Sequence, residues 1–273
     1  MIVESALAAL LRRDRIIILA ALIAVTLLAW VYVLHLAAAM SDMAGMAGMP
    51  DMPGMRMDAG GMLSPVFGRW SAAHFVTMFA MWSVMMIGMM TPSVAPMILL
   101  YVQVARRYAS TRPFASAGWF AFGYLLAWIG FSLLATVTQW GLEQAALLSP
   151  MMTSTSHVFA GVLLLATGIY QWLPIKSSCL ARCRAPLSFV MEHGGFQSSA
   201  PGSVRLGLQH GLYCVGCCWA LMLLLYVGGV MNLLWIGGLM VLVLLEKLVP
   251  GARYFAKGSG VAAAALGLWY LLR

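Results

Sequence analysis

The chain has 273 residues, of which 63% are hydrophobic and only 9% charged. A soluble domain carries about 25% charged residues, so a water-exposed globular fold is excluded and lipid must cover much of the surface. The net charge of +8 would suit a polyanion, but the placement of the basic residues assigns it to membrane orientation and anionic lipid, not to nucleic acid.

No Asp, Glu, Lys or Arg occurs in 16–41, 70–105, 113–142, 144–175 or 206–245. A span takes about 20 apolar residues at about 1.5 Å rise each. The first four stretches therefore hold one helix apiece. The fifth is long enough for two, with Gly228-Gly229 and Asn232 as the turn. A seventh segment, Gly258 to Leu272, reads as a short span or an interfacial helix. The expected fold is all-α, a polytopic bundle of about seven transmembrane helices near 16–38, 71–101, 115–139, 156–173, 206–227, 230–247 and 258–272.

With the N-terminus in the cytoplasm, all but three of the 16 basic residues fall on the cytoplasmic side. The exceptions are Arg56, Arg69 and Arg273, and the positive-inside rule is satisfied. This predicts a multi-pass protein of the bacterial inner membrane. An N-terminal anchor occupies 1–39, a Met-rich periplasmic loop 40–69, and a six-helix domain 70–273 with a cytoplasmic loop at 174–205. Arg12-Arg13-Asp14-Arg15, the apolar stretch and Ala37-Ala38-Ala39 together resemble a secretory signal. The stretch is longer than a signal core, which favours an uncleaved anchor.

Between the first two helices, residues 40–62 read MSDMAGMAGMPDMPGMRMDAGGM. Methionine recurs every third residue, at Met40, Met43, Met46, Met49, Met52 and Met55. Pro50, Pro53 and the glycines oppose a regular helix. A Pro/Gly-rich exposed loop has no core for these side chains to fill. Thioethers at fixed spacing suit a soft cation such as Cu(I), and Met46, Met49, Met52 and Met55 are the candidate ligands.

The second helix continues the pattern. At about 100° per residue, His74, Met78, Met81, Met85 and Met89 share one stripe, flanked by Met86, Met90 and Met97. From Met78 to Met89 it climbs about 17 Å. Ordinary packing explains Met in an apolar helix equally well. Pro92 and Pro96 are expected to kink or break the helix.

All five cysteines come later. Cys179 and Cys183 form C-x-x-x-C in the 174–205 loop, and Cys214, Cys217 and Cys218 follow His210 by one to two turns. In the reducing cytoplasmic half, structural disulfides are not expected. The cluster reads as a soft-metal or redox site. Glu246 is placed to approach it. His157 and His193 read as solvated or interfacial histidines, Lys247 as orientation-setting, and Gln139 and Glu143 receive no role. No nucleotide loop, nucleophile elbow or paired intramembrane carboxylate occurs, so hydrolase and phosphoryl chemistry lack support.

From about Trp70 to Leu272 the chain resembles a bacterial family carried as a domain of unknown function and described as predicted metal-binding integral membrane proteins. The likeness rests on Met81-Trp82 through Met89-Met90-Thr91-Pro92, and on Tyr170-Gln171 with Pro174, Lys176, Cys179 and Cys183. It continues through Gly211, Cys214, Cys217-Cys218-Trp219, Met222, Gly229-Val230-Met231-Asn232 and Glu246-Lys247. The resemblance implies a metal site and a membrane location. The M-x-x-x-M pairs also look like the methionine gate of eukaryotic high-affinity copper transporters, trimers of three-helix chains that do not align with this one.

These features lead to an expected function. The chain handles Cu(I), passing it from the Met-rich loop along the helix-two stripe to His210 and the cysteines. Affinity rises from thioether to thiolate, and weak repeated sites suit passage. Expected partners are the lipid bilayer, the metal ion, and a copper chaperone or copper enzyme. Zinc is the alternative metal. Competing functions are a membrane thiol–disulfide oxidoreductase using the cysteine pairs, and a structural or assembly subunit of a membrane complex.

Overall fold

The computed structural model describes the backbone of residues 2–46, 55–57, 63–65, 70–107, 113–149, 152–249 and 251–273, and the side chains of 13–39, 70–107, 114–149, 152–249, 251 and 254–273. The described chain is helical apart from one short strand pair. In order it runs α1 (Ile2–Met46), β1 (Met55–Met57), β2 (Leu63–Pro65), α2 (Ala72–Arg107), α3 (Pro113–Gln144), α4 (His157–Tyr170), α5 (Pro174–Arg184), α6 (Pro186–Glu192), α7 (Ala200–Leu223), α8 (Leu225–Gly228), α9 (Leu233–Leu248) and α10 (Ala252–Leu272). β1 and β2 pair antiparallel, Arg56 opposite Ser64.

Every segment expected to be helical is helical, but seven independent spans do not emerge. Among the described residues, five helices are long and apolar enough to cross a membrane: Arg13–Ala39, Ala72–Arg107, Phe114–Gln144, Ala200–Gly228 and Tyr254–Leu272. A sixth is obtained if α4 and α5, which meet at a 64° bend, act as one broken span. The bend falls where Pro174 opens α5, since proline cannot continue the backbone ladder of α4. α9 has 16 residues, short of the roughly 20 that a perpendicular span needs. The last helix, expected from Gly258, begins at Ala252 and reaches 21 residues.

Two local expectations also change. α1 runs to Met46, so the first part of the Met-rich segment is helical up to four residues before Pro50. α2 continues unbroken through Pro92 and Pro96. Hydroxyls crowd the turns around these prolines: Thr91 donates to the Ile87 carbonyl (2.7 Å) and Ser93 to that of Met90 (2.8 Å). Such side chains, with packed neighbours, let a membrane helix tolerate proline. The α8–α9 turn is as expected. Gly229 adopts φ +95°, open to glycine. Asn232 caps α9 by accepting from the Trp235 amide (3.2 Å).

Small residues set the helix spacing. α3 lies against α7 so closely that a Cβ at Gly207 would sit 1.9 Å from the Phe120 carbonyl oxygen, and one at Gly123 2.1 Å from that of Val204. α4 and α10 meet in the same way, with Gly168 on the Gly260 carbonyl. Close backbone approach through small residues is the usual basis of helix association in lipid, where burial gives little driving force. α1 joins α2 through the Asp14–Arg106 ion pair, whose second hydrogen bond, Arg106 Nη2 to Asp14 Oδ1, is 2.8 Å. This pair marks one end of the bundle. Trp70 and Glu143, joined by a 2.8 Å hydrogen bond, mark the other.

Candidate metal centre

The centre is built where α7 crosses α2, α3, α5 and α9. A helical rise puts Cys214, Cys217 and Cys218 within two turns on α7, and all three are buried. Pro174 directs α5 back along α7, which brings its two cysteines to the same place. Cys183 lies beside Cys214 and Cys217. Cys179 settles over Gly216, where a Cβ would stand 3.0 Å from its sulfur. Five cysteines separated by up to 39 positions thus share one neighbourhood, and all are free thiols.

Cys214 is the hub. Lys247 Nζ, from the last turn of α9, donates to its sulfur at 2.8 Å and also to Ser93 Oγ at 3.1 Å. The Tyr124 hydroxyl lies 3.1 Å from the same sulfur and 3.2 Å from the Met90 carbonyl, to which it donates. Lysine, tyrosine and a second thiol therefore surround one sulfur in the interior, with the lysine as its hydrogen-bond donor. The thiols of Cys217 and Cys218 turn back to the Cys214 carbonyl, at 3.0 and 2.9 Å. Among the described residues no three or more His, Cys, Asp or Glu side chains are arranged to hold a metal ion as they stand. The donor set is nevertheless soft: thiols suit Cu(I) better than any hard cation. Receiving it requires the two back-bonded thiols to rotate off their carbonyl.

His210, one turn before Cys214, is buried among Phe120, Tyr124 and Phe189, with ring centroids 5.9, 6.1 and 4.9 Å away. Its Nδ1 makes no hydrogen bond among the described residues. An unpaired buried polar atom costs about 1–3 kcal/mol.

Of the methionine stripe, Met81, Met85 and Met89 are buried together with Met86, Met90 and Met97. They pack in the same core as Trp82 and Tyr226. Met85 and Met89 line a crevice with Ala29, Val33 and Ile236, between α1, α2 and α9, that is too tight to admit water. Met78 is half-buried, and its sulfur accepts from Gln139 Nε2 at 3.7 Å. His74 is exposed, edge-on to Trp70. The side chains of Met46, Met49, Met52 and Met55 lie outside the described residues, although Met46 ends α1 and Met55 opens β1.

Sequence reasoning erred on the pair that ends α9. Glu246, expected near the cysteines, faces away from them: its carboxylate pairs with buried Lys176 at 2.6 Å and accepts from Gln171 (3.1 Å) and Ser259 (3.3 Å). Lys247 is the residue that reaches the thiols. Adjacent helical positions point about 100° apart, so only one of the two can face α7. Tyr124 and Ser93 were missed as well, because a lone hydroxyl in an apolar helix carries no sequence signal.

No curated protein and no solved structure matches the chain. A protein-family match covers residues 79–270, which takes in all five cysteines, His210, Tyr124 and Lys247. Over that span, and therefore for most of its length, the chain belongs to the PpoB2 family, described as copper chaperones.

Proposed function

We propose that this protein is a membrane-embedded Cu(I) chaperone that relays the ion inward, from thioether sites on the periplasmic side to the cysteine centre on the cytoplasmic side. The observation that carries the reading is the convergence of Cys183 from α5 with Cys214, Cys217 and Cys218 from α7. Membership of a copper chaperone family supplies the metal. Proximity supports a path: the Tyr124 hydroxyl that touches the Cys214 sulfur also donates to the backbone carbonyl of Met90, on the Met-lined helix. Thioether sites are neutral and weak, and thiolates are charged and strong, so the gradient of affinity runs toward the cysteines.

In this reading the chain sits in the bacterial inner membrane with its N-terminus in the cytoplasm. α9 completes a seventh crossing by local thinning of the bilayer and snorkelling of its flanking residues. Lys247 offsets the thiolate charge before the ion arrives, and His210 Nδ1 contributes a further ligand. The receiving partner is a copper enzyme or a soluble chaperone able to take Cu(I) by thiol exchange.

Metal analysis of the purified chain tests the proposal. Stoichiometric copper is expected in the native protein. Replacing Cys214, Cys217 and Cys218 with Ser should remove most of it, because a hydroxyl is a hard and poorly ionised ligand. Full retention by the triple variant in competition with a Cu(I) chelator refutes the cysteine centre. A reducible disulfide in place of metal would favour thiol exchange instead.

A further inference from the structure

We infer a second metal site, separate from the cysteines, at the opposite end of the bundle: a capture site for a soft monovalent cation formed by His74, Met78 and Glu143 under the indole of Trp70. This rests on the reading of copper as cargo and adds where the ion first leaves water. Trp70, His74 and Met78 precede residue 79, where the family match begins, so family membership does not supply the site.

Three observations build it. The Glu143 carboxylate is held from both sides by neutral donors, Trp70 Nε1 on one oxygen and Gln139 Nε2 on the other, each at 2.8 Å. No cation pairs with it among the described residues. The same Gln139 amide nitrogen also reaches the Met78 sulfur at 3.7 Å, so thioether and carboxylate share one anchor. Gln139 is itself fully buried and fixed by Trp82 Nε1 at 2.7 Å. Finally, the His74 imidazole stands edge-on to Trp70, centroids 4.8 Å apart. One indole thus touches both the imidazole and the carboxylate.

The chemistry of the set is specific. A thioether and a neutral imidazole suit a soft cation but carry no charge to balance it. A cation entering the edge of a low-dielectric bundle needs compensation, and Glu143 provides a single negative charge. The indole adds a π-face for the cation. Met81 lies one turn further along α2 and opens the buried methionine face, so the site stands at the start of the proposed path. A helix clamp between α2 and α3 would use the same contacts of Trp70, Gln139, Glu143 and Met78, so ion binding is what separates the two.

The test uses the full chain in detergent, with Ag(I) in chloride-free buffer as the probe. All five cysteines are replaced by Ser, so that thiolates do not compete. Trp70-dependent emission is read as the difference between this chain and its Trp70→Phe counterpart. Ag(I) is expected to quench that emission, and Met78→Leu or Glu143→Gln to raise the half-saturating concentration by about tenfold or more. His74→Ala, at an exposed position, should do the same without disturbing the fold. Quenching unchanged in all three variants, or absent, overturns the site. The parent chain separates this result from the cysteine reading. Ag(I) on its thiols with no Trp70 signal overturns the capture site alone. A Trp70 signal with no thiol-bound Ag(I) supports the capture site and overturns the cysteine centre.

Discussion

Lys247 Nζ donates to Cys214 Sγ over 2.8 Å inside the bundle, joining the last turn of α9 to the middle of α7. A buried ammonium is costly without polar partners, and the Cys214 sulfur with Ser93 Oγ supplies them. Lys247→Met should lower stability by about 1.5–3 kcal/mol, the usual worth of a hydrogen bond to a charged group. It should also weaken copper retention. Arg should not restore the wild-type state, because its planar fork does not fit a site shaped for a compact ammonium. Denaturation in mild detergent reads the first effect and competition with a Cu(I) chelator the second. Unchanged retention in Lys247→Met would reduce this lysine to a packing element.

The methionine face separates packing from ligation. Changing Met78, Met81, Met85 and Met89 together to Leu retains volume and hydrophobicity, a swap that usually costs under about 1.5 kcal/mol per site. It removes the sulfur lone pairs. Copper accumulation in cells should fall while the purified chain still binds copper at its cysteines. Met222→Leu with Met240→Leu, on α7 and α9, is the control. Accumulation equal to wild type in the quadruple variant would return the stripe to simple packing.

Helix spacing is expected to control the centre from a distance. Gly207→Ala places a methyl 1.9 Å from the Phe120 carbonyl oxygen, and backbone cannot yield as a flexible side chain would. α3 and α7 must separate. Because α3 carries Tyr124 and α7 carries Cys214, the 3.1 Å contact between them should open. Stability should drop by about 1–3 kcal/mol, the range for overpacking, with copper retention reduced in parallel. Gly118→Ala, on α3 where an added Cβ meets nothing within 4 Å, should be silent in both measurements.

Glu246 gives the contrasting case. Its pair with Lys176 is almost fully buried, and Gln171 and Ser259 complete the network. Glu246→Gln leaves a buried ammonium uncompensated, which typically costs about 3–5 kcal/mol. Copper bound per folded chain should not change, since the carboxylate faces away from the thiols. Loss of copper in chains that remain folded would contradict the assignment of this network to architecture.

The all-helical class, with helices long and apolar enough to cross a membrane, was legible because composition and uncharged runs act along the chain. Lipid demands about 20 apolar residues per crossing whatever the neighbours do. The sulfur inventory was legible for the same reason: Cys214, Cys217, Cys218 and His210 are neighbours on α7 through helical geometry alone. The α8–α9 turn at Gly229 and Asn232 could be read from its residues, since only local backbone rules act there. The lengths of α9 and α10 could not, because caps and bends set by packing moved both ends.

Only the tertiary structure decided which cysteines meet and what else joins them. The 64° bend between α4 and α5 brings Cys183 to α7, and nothing in the C-x-x-x-C spacing specifies that direction. Whether Glu246 or Lys247 faced the thiols depended on the rotation of α9 about its own axis. Neighbouring helical residues differ by about 100°, and helix rotation in lipid is set by packing against other helices, not by sequence position. The sequence by itself determined an apolar helix bundle rich in sulfur side chains, and the packing of α3, α5 and α9 around α7 determined that Lys247 and Tyr124 converge on Cys214.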